Sequence, residues 1–250
     1  MAELEATEVA GFALRRRAVL ERIEQAAARS GRDPAGVHLV AVSKTVPAER
    51  LRAAVAAGLT VLGENRVQEG EAKRPLVPGA RWHLIGPLQG NKARRAIDTY
   101  DLIESVDSLA LAVRLGRLVR EAHGAWDRLA VLLQANVYED PAKAGFEPAD
   151  LRRQLAELLD VDGLRIDGLM TVGRLFDDAE GARPTFRRLR ALGDELRAMD
   201  DRLGSELSMG MSADFEVAVE EGATIVRVGR TLFGARPPVV PAGTPEAGPG

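Results

Sequence analysis

The sequence predicts an α/β fold, a single (β/α)8 barrel with one extra helix at its N-terminus. Two observations carry the prediction. Eight short runs rich in Val, Ile and Leu recur along the chain, several of them apolar on both faces, as the strands of a buried parallel sheet are. Charged amphipathic stretches alternate with them, and that alternation implies right-handed βαβ units. Eight such units in a chain of 250 residues fit the usual size of a closed barrel. An open doubly wound sheet is the alternative. No G-x-G-x-x-G turn follows the first run, which weakens its dinucleotide-binding version.

Residues 10–29 place Phe12, Val19, Ile23 and Ala26 at helical spacing, and Ser30-Gly31-Arg32-Asp33-Pro34 ends that helix with breakers. Strands are expected at 38–42, 60–62, 82–85, 102–106, 129–135, 164–170, 206–209 and 224–228. Amphipathic helices are expected at 48–57, 67–75, 109–122, 150–159, 182–199 and 213–220, within a total of about seven that follow strands. The chain thus divides into an N-terminal helix packed on the barrel (1–36), the barrel (37–236) and a Pro, Gly and Ala tail (237–250) expected to be disordered.

Composition excludes several classes. With 34 basic against 37 acidic residues, the net charge of −3 argues against nucleic acid as a partner. No run approaches the roughly 18 apolar residues of a membrane span. The acidic start Met1-Ala2-Glu3-Leu4-Glu5 is unlike a secretory signal, so a cytoplasmic protein is expected. Without Cys there are no disulfides, thiolate metal ligands or Cys nucleophile. His38, His83 and His123 are scattered, so no metal site is expected. No obvious apolar stripe is exposed, which suggests a monomer.

The basic residues are 30 Arg and only four Lys: Lys44, Lys73, Lys92 and Lys143. A chain this biased uses Arg wherever a positive charge suffices. Its remaining Lys positions are candidates for an amine that must lose a proton and attack a carbonyl; for Lys73 chance survival is an equal alternative. Lys44 ends the first strand, where barrel active sites lie. Val40, Val42 and Val46 around it would disfavour the charged amine and suit it to imine chemistry, a solvated loop lysine being the other reading. Leu207-Ser208-Met209-Gly210-Met211-Ser212-Ala213-Asp214, where strand seven meets a helix, and Val226-Arg227-Val228-Gly229-Arg230-Thr231, at the end of strand eight, fall at the usual phosphate corner of such barrels. Ser212 could equally be only an N-cap and Gly229 only a turn. Asn65 and His83 are weaker candidates at neighbouring strand ends; a lone strand His is more often a core residue.

Six segments together resemble a known family: Ala41-Val42-Ser43-Lys44-Thr45, Gly63-Glu64-Asn65-Arg66-Val67-Gln68-Glu69, Trp82-His83-Leu84-Ile85-Gly86-Pro87-Leu88-Gln89-Gly90-Asn91-Lys92, Gly168-Leu169-Met170, Ser208-Met209-Gly210-Met211-Ser212-Ala213-Asp214 and Val226-Arg227-Val228-Gly229. In order and wording they resemble the pyridoxal phosphate homeostasis proteins, whose fold is similar to the alanine racemase N-terminal barrel. The resemblance implies binding of pyridoxal 5′-phosphate (PLP) as a lysine aldimine, a role in vitamin B6 homeostasis without strong turnover, and PLP-requiring apo-enzymes as recipients. It implies Lys44 as the Schiff-base lysine. Ser212 and the N–H groups around Gly229 and Arg230 would hold the phosphate, helped by the turn from Ser208 to Met211. Arg227 would face the pyridine nitrogen, with Asn65 and His83 lining the ring pocket and Lys143 a second attachment point. One position departs from the family pattern: Arg230 stands where many members have Ser or Thr, removing a hydroxyl from the cradle.

An Arg beside the pyridine nitrogen keeps it unprotonated and makes the ring a poorer electron sink. A racemase also needs acid–base groups on both faces of its substrate, and neither Tyr100 nor Tyr138 lies in a site motif. A carrier that exchanges an aldehyde between amines is therefore the expectation. A racemase or lyase of the same barrel type, or a sugar-phosphate enzyme using Lys44, is the alternative.

Overall fold

The eight apolar runs pair in chain order into a closed, all-parallel barrel. The computed structural model describes residues 2–124, 127–138, 144–173 and 178–234. Its strands are β1 (His38–Val42), β2 (Val61–Glu64), β3 (Arg81–Leu84), β4 (Leu102–Val106), β5 (Leu129–Gln134), β6 (Leu164–Met170), β7 (Glu206–Met211) and β8 (Ile225–Val228). The ring closes where β8 pairs with β1, in a register running from His38 opposite Ile225 to Ala41 opposite Val228. Closure leaves no exposed edge.

The helices are α1 (Ala2–Arg29), α2 (Ala48–Ala56), α3 (Val67–Lys73), α4 (Ala93–Thr99), α5 (Leu109–His123), α6 (Pro148–Leu159), α7 (Arg183–Met199), α8 (Phe215–Glu220) and α9 (Arg230–Phe233). Two differences from the sequence reading have physical causes. Helix α4 was not foreseen, because its buried face is built from Ala93, Ala96 and Ile97, too small and too brief to give a periodic signal. Strands β2 and β7 run on to Glu64 and Met211, past the expected ends at 62 and 209. Gly63 and Gly210 read as turn formers, yet Glu64 stays in register opposite Leu84, and Met211 pairs with Arg227 after a shift of register past Ser208.

Helix α1 solves a problem of closure. Each crossover helix covers a crease between successive strands, but the crease between β8 and β1 has no crossover, and α9 is only one turn long. Helix α1 packs against α2, α8 and α9 over that seam. It buries Phe12, Val19, Ile23, Ala26 and Ala27, a single helical stripe. Phe12 meets Phe233 edge-to-face at 5.5 Å, and Arg22 lies over the Phe215 ring while pairing with Glu216.

Alternation along the strands sorts side chains to two sides of the wall. Outward residues such as Ala41, Leu62, Trp82, Leu84 and Val226 join the main core beneath the helices. Inward residues Val40, Leu102, Ala130, Leu132, Met170 and Ile225 fill the barrel with Val61. Two residues beyond Leu102 and Ile225, towards the strand C-termini, the inward positions become Glu104 and Arg227. The filling changes there from apolar to charged, and this sets the floor of the mouth.

Among the described residues no helix is long and apolar enough to cross a membrane. The expected tail and Lys143 lie outside the described residues. Phe12 is fully buried, so Phe12→Ala should cost about 3–5 kcal/mol of stability in urea unfolding. A loss below about 1 kcal/mol would show that α1 is not needed to cover the seam.

Candidate functional site

A charge network floors the mouth. His83, Glu104, Ser208 and Arg227 project inward from β3, β4, β7 and β8, all buried. Glu104 Oε1 lies 2.7 Å from His83 Nδ1. Ser208 Oγ donates to Glu104 Oε2 at 2.5 Å and accepts from Arg227 Nη1 at 2.5 Å. Arg227 Nη2 donates to the Thr171 carbonyl at 2.8 Å, and Nη1 stands 3.8 Å from Glu104 Oε2. Burial alone would raise Glu104, but the His83 hydrogen bond and the His83, Arg227 and Ser208 contributions outweigh it and hold it below the usual carboxylate range. Burial lowers Arg227 from its ordinary value, against the pull of Glu104 and Asp214; a guanidinium remains protonated. An ionised Glu104 only accepts, so His83 carries its proton on Nδ1 and leaves Nε2 as its other polar atom.

Lys44 sits in the turn after β1 and is half-buried. Ser43 points outward, its hydroxyl on Glu64, so alternation leaves Lys44 on the inner side, in line with Val40 and Val42. Val46, expected in an apolar wall around the amine, packs instead in the outer core. Next to Lys44, Thr45 holds φ of 66°, a left-handed conformation rare for a β-branched residue.

The loops after β7 and β8 form one corner. The Gly229 N–H donates to Ser212 Oγ at 3.1 Å, tying them together. The N–H groups of Arg230 and Thr231 fall in the first turn of α9, where helical N–H groups have no intrahelical acceptor. Gly229 packs against Val42: a Cβ there would meet Val42 Cβ at 3.3 Å. The corner thus adjoins the strand that ends in Lys44. The Met211 N–H donates to Asp214 Oδ1 at 2.6 Å, and burial raises the Asp214 carboxyl against that bond and the charge of Arg227. Asn65 follows β2 at the rim, half-buried. The Arg230 side chain is exposed at the rim.

Ser208 lies within β7, inside the expected strand 206–209, paired with Ile225, and its hydroxyl is bonded to Glu104 and Arg227 rather than turned to the Ser212 corner. The turn begins only at Ser212, because β7 continues through Gly210 with φ of 89°. Glu104 was missed. A carboxylate in the run Leu102-Ile103-Glu104-Ser105-Val106, two residues from an inward Leu, was the available signal. Thr171 acts through its backbone carbonyl, which leaves no mark in a sequence.

A second cluster lies outside the wall, against α3. Lys73 Nζ donates to Glu64 Oε1 at 2.8 Å, to the Ser43 carbonyl at 3.1 Å and to Glu69 Oε2 at 3.5 Å. Burial raises Glu64 against the opposing pull of Lys73 and Ser43. Burial also opposes the charge of Glu69, but the Thr45 N–H and Lys73 hold it below the usual range. Among the described residues no group of three or more His, Asp or Glu side chains could hold a metal ion.

A closed parallel barrel with an amine at the end of β1 and an N–H-rich corner after β7 and β8 defines a barrel of the alanine racemase N-terminal type. The chain matches the alanine racemase N-terminal domain family over residues 14–237. It is 42% identical over 220 residues to the pyridoxal phosphate homeostasis protein of Aquifex aeolicus, covering 87% of this chain and 95% of the relative. To the protein of that name in Pseudomonas aeruginosa it is 41% identical over 227 residues, with 90% and 95% covered. It superposes on PipY of Synechococcus elongatus with PLP bound at a TM-score of 0.74 and 42% identity, over 85% of this chain and 100% of that one. Alanine racemase of Clostridium difficile shares the fold at a TM-score of 0.69 but only 16% identity, over 87% of this chain and 58% of the enzyme. The chain belongs to the pyridoxal phosphate homeostasis protein family.

Replacing Glu104 by Gln leaves a buried guanidinium without its counter-charge, and should cost about 3–5 kcal/mol. The sign of the acid response follows from the lowered carboxyl. Its contribution is present above the unfolded carboxylate value, near 4, and is lost as pH falls through the folded one. Urea unfolding between about pH 6 and pH 3 should therefore show a shallower loss of stability in Glu104→Gln than in the parent. Equal slopes would mean that Glu104 is not ionised in the fold.

Proposed function

We propose that this protein holds PLP at the mouth of the barrel and releases it to other amines, as a carrier rather than a catalyst. The observation that carries the reading is the hydrogen bond from the Gly229 N–H to Ser212, which joins two loops into one donor-rich corner beside the strand that ends in Lys44. The residues fit the group. A hydroxyl and successive backbone N–H groups suit a phosphate dianion, a lysine amine suits an aldehyde, and a buried guanidinium suits a pyridine nitrogen. PLP, when bound, supplies an aldehyde that condenses with an amine as water leaves, and that passes to another amine by exchange.

Lys44 provides the attachment amine. Ser212, held by the Gly229 N–H, and the N–H groups of Arg230 and Thr231 hold the phosphate, with the Met211 backbone fixed beside them by Asp214. Asn65 and His83 border the ring. Arg227, anchored to Ser208 and the Thr171 carbonyl, presents a permanent positive charge. Its guanidinium would donate to the ring nitrogen and oppose its protonation, withholding the electron sink that carbanion chemistry needs. The tyrosines are engaged elsewhere. Tyr100 donates to the Arg66 carbonyl behind the wall, and Tyr138 pairs with Thr185 beneath Arg188. Neither supports two-faced proton transfer in the mouth.

The reading extends to a cytoplasmic monomer serving PLP-requiring apo-enzymes. The large exposed apolar residues Leu14, Leu76, Val113, Val172 and Met199 fall on separate parts of the described structure rather than in one patch. The reading keeps 1–36 as a helix on the barrel, 37–236 as the PLP-binding unit and 237–250 as a tail.

Incubation with PLP, borohydride reduction and peptide mapping should place a pyridoxyl group on Lys44. Label confined to another lysine sinks the reading. Ser212→Ala should weaken binding of PLP about tenfold, the worth of one hydrogen bond to a charged group, while leaving phosphate-free pyridoxal unaffected. Incubation of the PLP-loaded protein with amino acids in deuterated water should leave their α-hydrogens unexchanged; rapid exchange would identify a racemase or lyase instead.

A further inference from the structure

The cluster behind the wall grips the chain on both sides of Lys44. Lys73 Nζ donates to the carbonyl of Ser43, the residue before, at 3.1 Å. Glu69 Oε2 accepts from the N–H of Thr45, the residue after, at 3.1 Å. Both side chains come from one face of α3, four residues apart, and stand 3.5 Å from each other. Glu64, on β2, completes the grip by accepting from Ser43 Oγ at 2.7 Å and from Lys73 at 2.8 Å. The three gripping side chains lie on the outer side of the wall, while alternation puts Lys44 on the inner side.

Stability alone does not account for this arrangement. Glu64 is fully buried, and its Oε2 has no hydrogen-bond partner. A buried ion pair seldom holds a wall better than apolar side chains of similar volume. What it adds is direction. Here the bonds run to the two peptide groups that flank Lys44, and to the one non-glycine residue with positive φ among the described residues, Thr45. The amine type fits too. An ammonium fans three donors towards three acceptors from different elements, which a planar guanidinium fork does not. Lys73 thus keeps a lysine in a chain with 30 arginines.

We infer that Lys73 and Glu69 are positioning residues for Lys44. They clamp the Ser43 carbonyl and the Thr45 N–H, hold the left-handed turn, and aim the Lys44 amine into the mouth before a ligand arrives. The inference rests on Lys44 being the attachment residue. It goes further in assigning the orientation of that residue to side chains on the far side of the wall.

Lys73→Met and Glu69→Ala separate aim from fold. The measured quantities are the initial rate of pyridoxyl labelling of Lys44 under borohydride at limiting PLP, and the affinity for 4′-deoxypyridoxine phosphate, which keeps the ring and phosphate but lacks the aldehyde. Labelling should slow by about 10–100-fold, as expected when a reacting group is misplaced by an ångström, while the aldehyde-free ligand binds within about twofold of the parent. Glu69→Gln keeps an acceptor for the Thr45 N–H and should recover most of the rate. Leu155→Ala, a cavity variant in α6 on the opposite side of the barrel, should lower the Tm without slowing labelling.

Parent-like labelling in Glu69→Ala overturns the inference, as does an equal loss in Leu155→Ala or a parallel loss of affinity for the aldehyde-free ligand. If Lys73→Met does not fold, Glu69→Ala decides, since its carboxylate is partly exposed. Should the parent itself take no label on Lys44, the carrier reading fails. Amide exchange at Thr45 then still reads the clamp, slow in the parent and fast in Glu69→Ala; equal exchange overturns it.

Discussion

A full positive and a full negative charge share the interior of this barrel, and the site is arranged around that fact. Moving either ion alone out of water costs several kcal/mol, so Arg227 and Glu104 are retained together or not at all. Their separation of 3.8 Å is bridged by Ser208, which satisfies one oxygen of the acid and one nitrogen of the base. His83 takes the other oxygen and the Thr171 carbonyl another nitrogen. Five of the eight strand ends are thereby bonded to one another through side chains as well as through the ladder. The mouth has a floor of fixed hydrogen-bonding direction, which an apolar layer could not supply.

Above that floor the chemistry is divided by strand. Lys44 follows β1 and the N–H-rich corner follows β7 and β8, and closure of β8 on β1 makes them neighbours. Gly229 can lie against Val42 because it has no side chain, and Val42 lies two residues before Lys44. The seam that helix α1 covers is the one that joins the N–H-rich corner to Lys44, so packing at Phe12 and Val19 supports the candidate site from the far face of the wall.

Much of this was legible in the sequence. β1, β4 and β6 fall at the expected residues, because their Val, Ile and Leu runs are bounded by polar or glycine-bearing segments. Lys44 and the Ser212–Gly229 corner were singled out because position in a barrel carries meaning even where composition does not, and the fold brings the two loops of that corner together. Gly210 and Met211 were placed in a turn because Met-Gly-Met reads as one, whereas pairing with β8 carries the strand through Met211. Glu104 escaped because one charge in an apolar strand has no periodic signature. Its meaning lies in Arg227 and Ser208, more than 100 residues away. Glu64, Glu69 and Lys73 sit in a stretch that reads as an ordinary charged helix, and only the fold brings them to the peptides around Lys44.

The scarcity of lysine now has two distinct explanations in one structure. At Lys44 the requirement, on the proposed function, is chemical: an amine can shed protons and bond to carbon, and a guanidinium cannot at any accessible pH. At Lys73 the requirement is geometric, since three acceptors from β1, β2 and α3 converge on a single nitrogen with 13% of the side chain exposed. A substitution to Arg would add two nitrogens where space and acceptors serve one. The wall between the two lysines is a single strand thick. One ammonium, bonded to two carboxylates, holds the peptides from which the other amine is presented to the mouth.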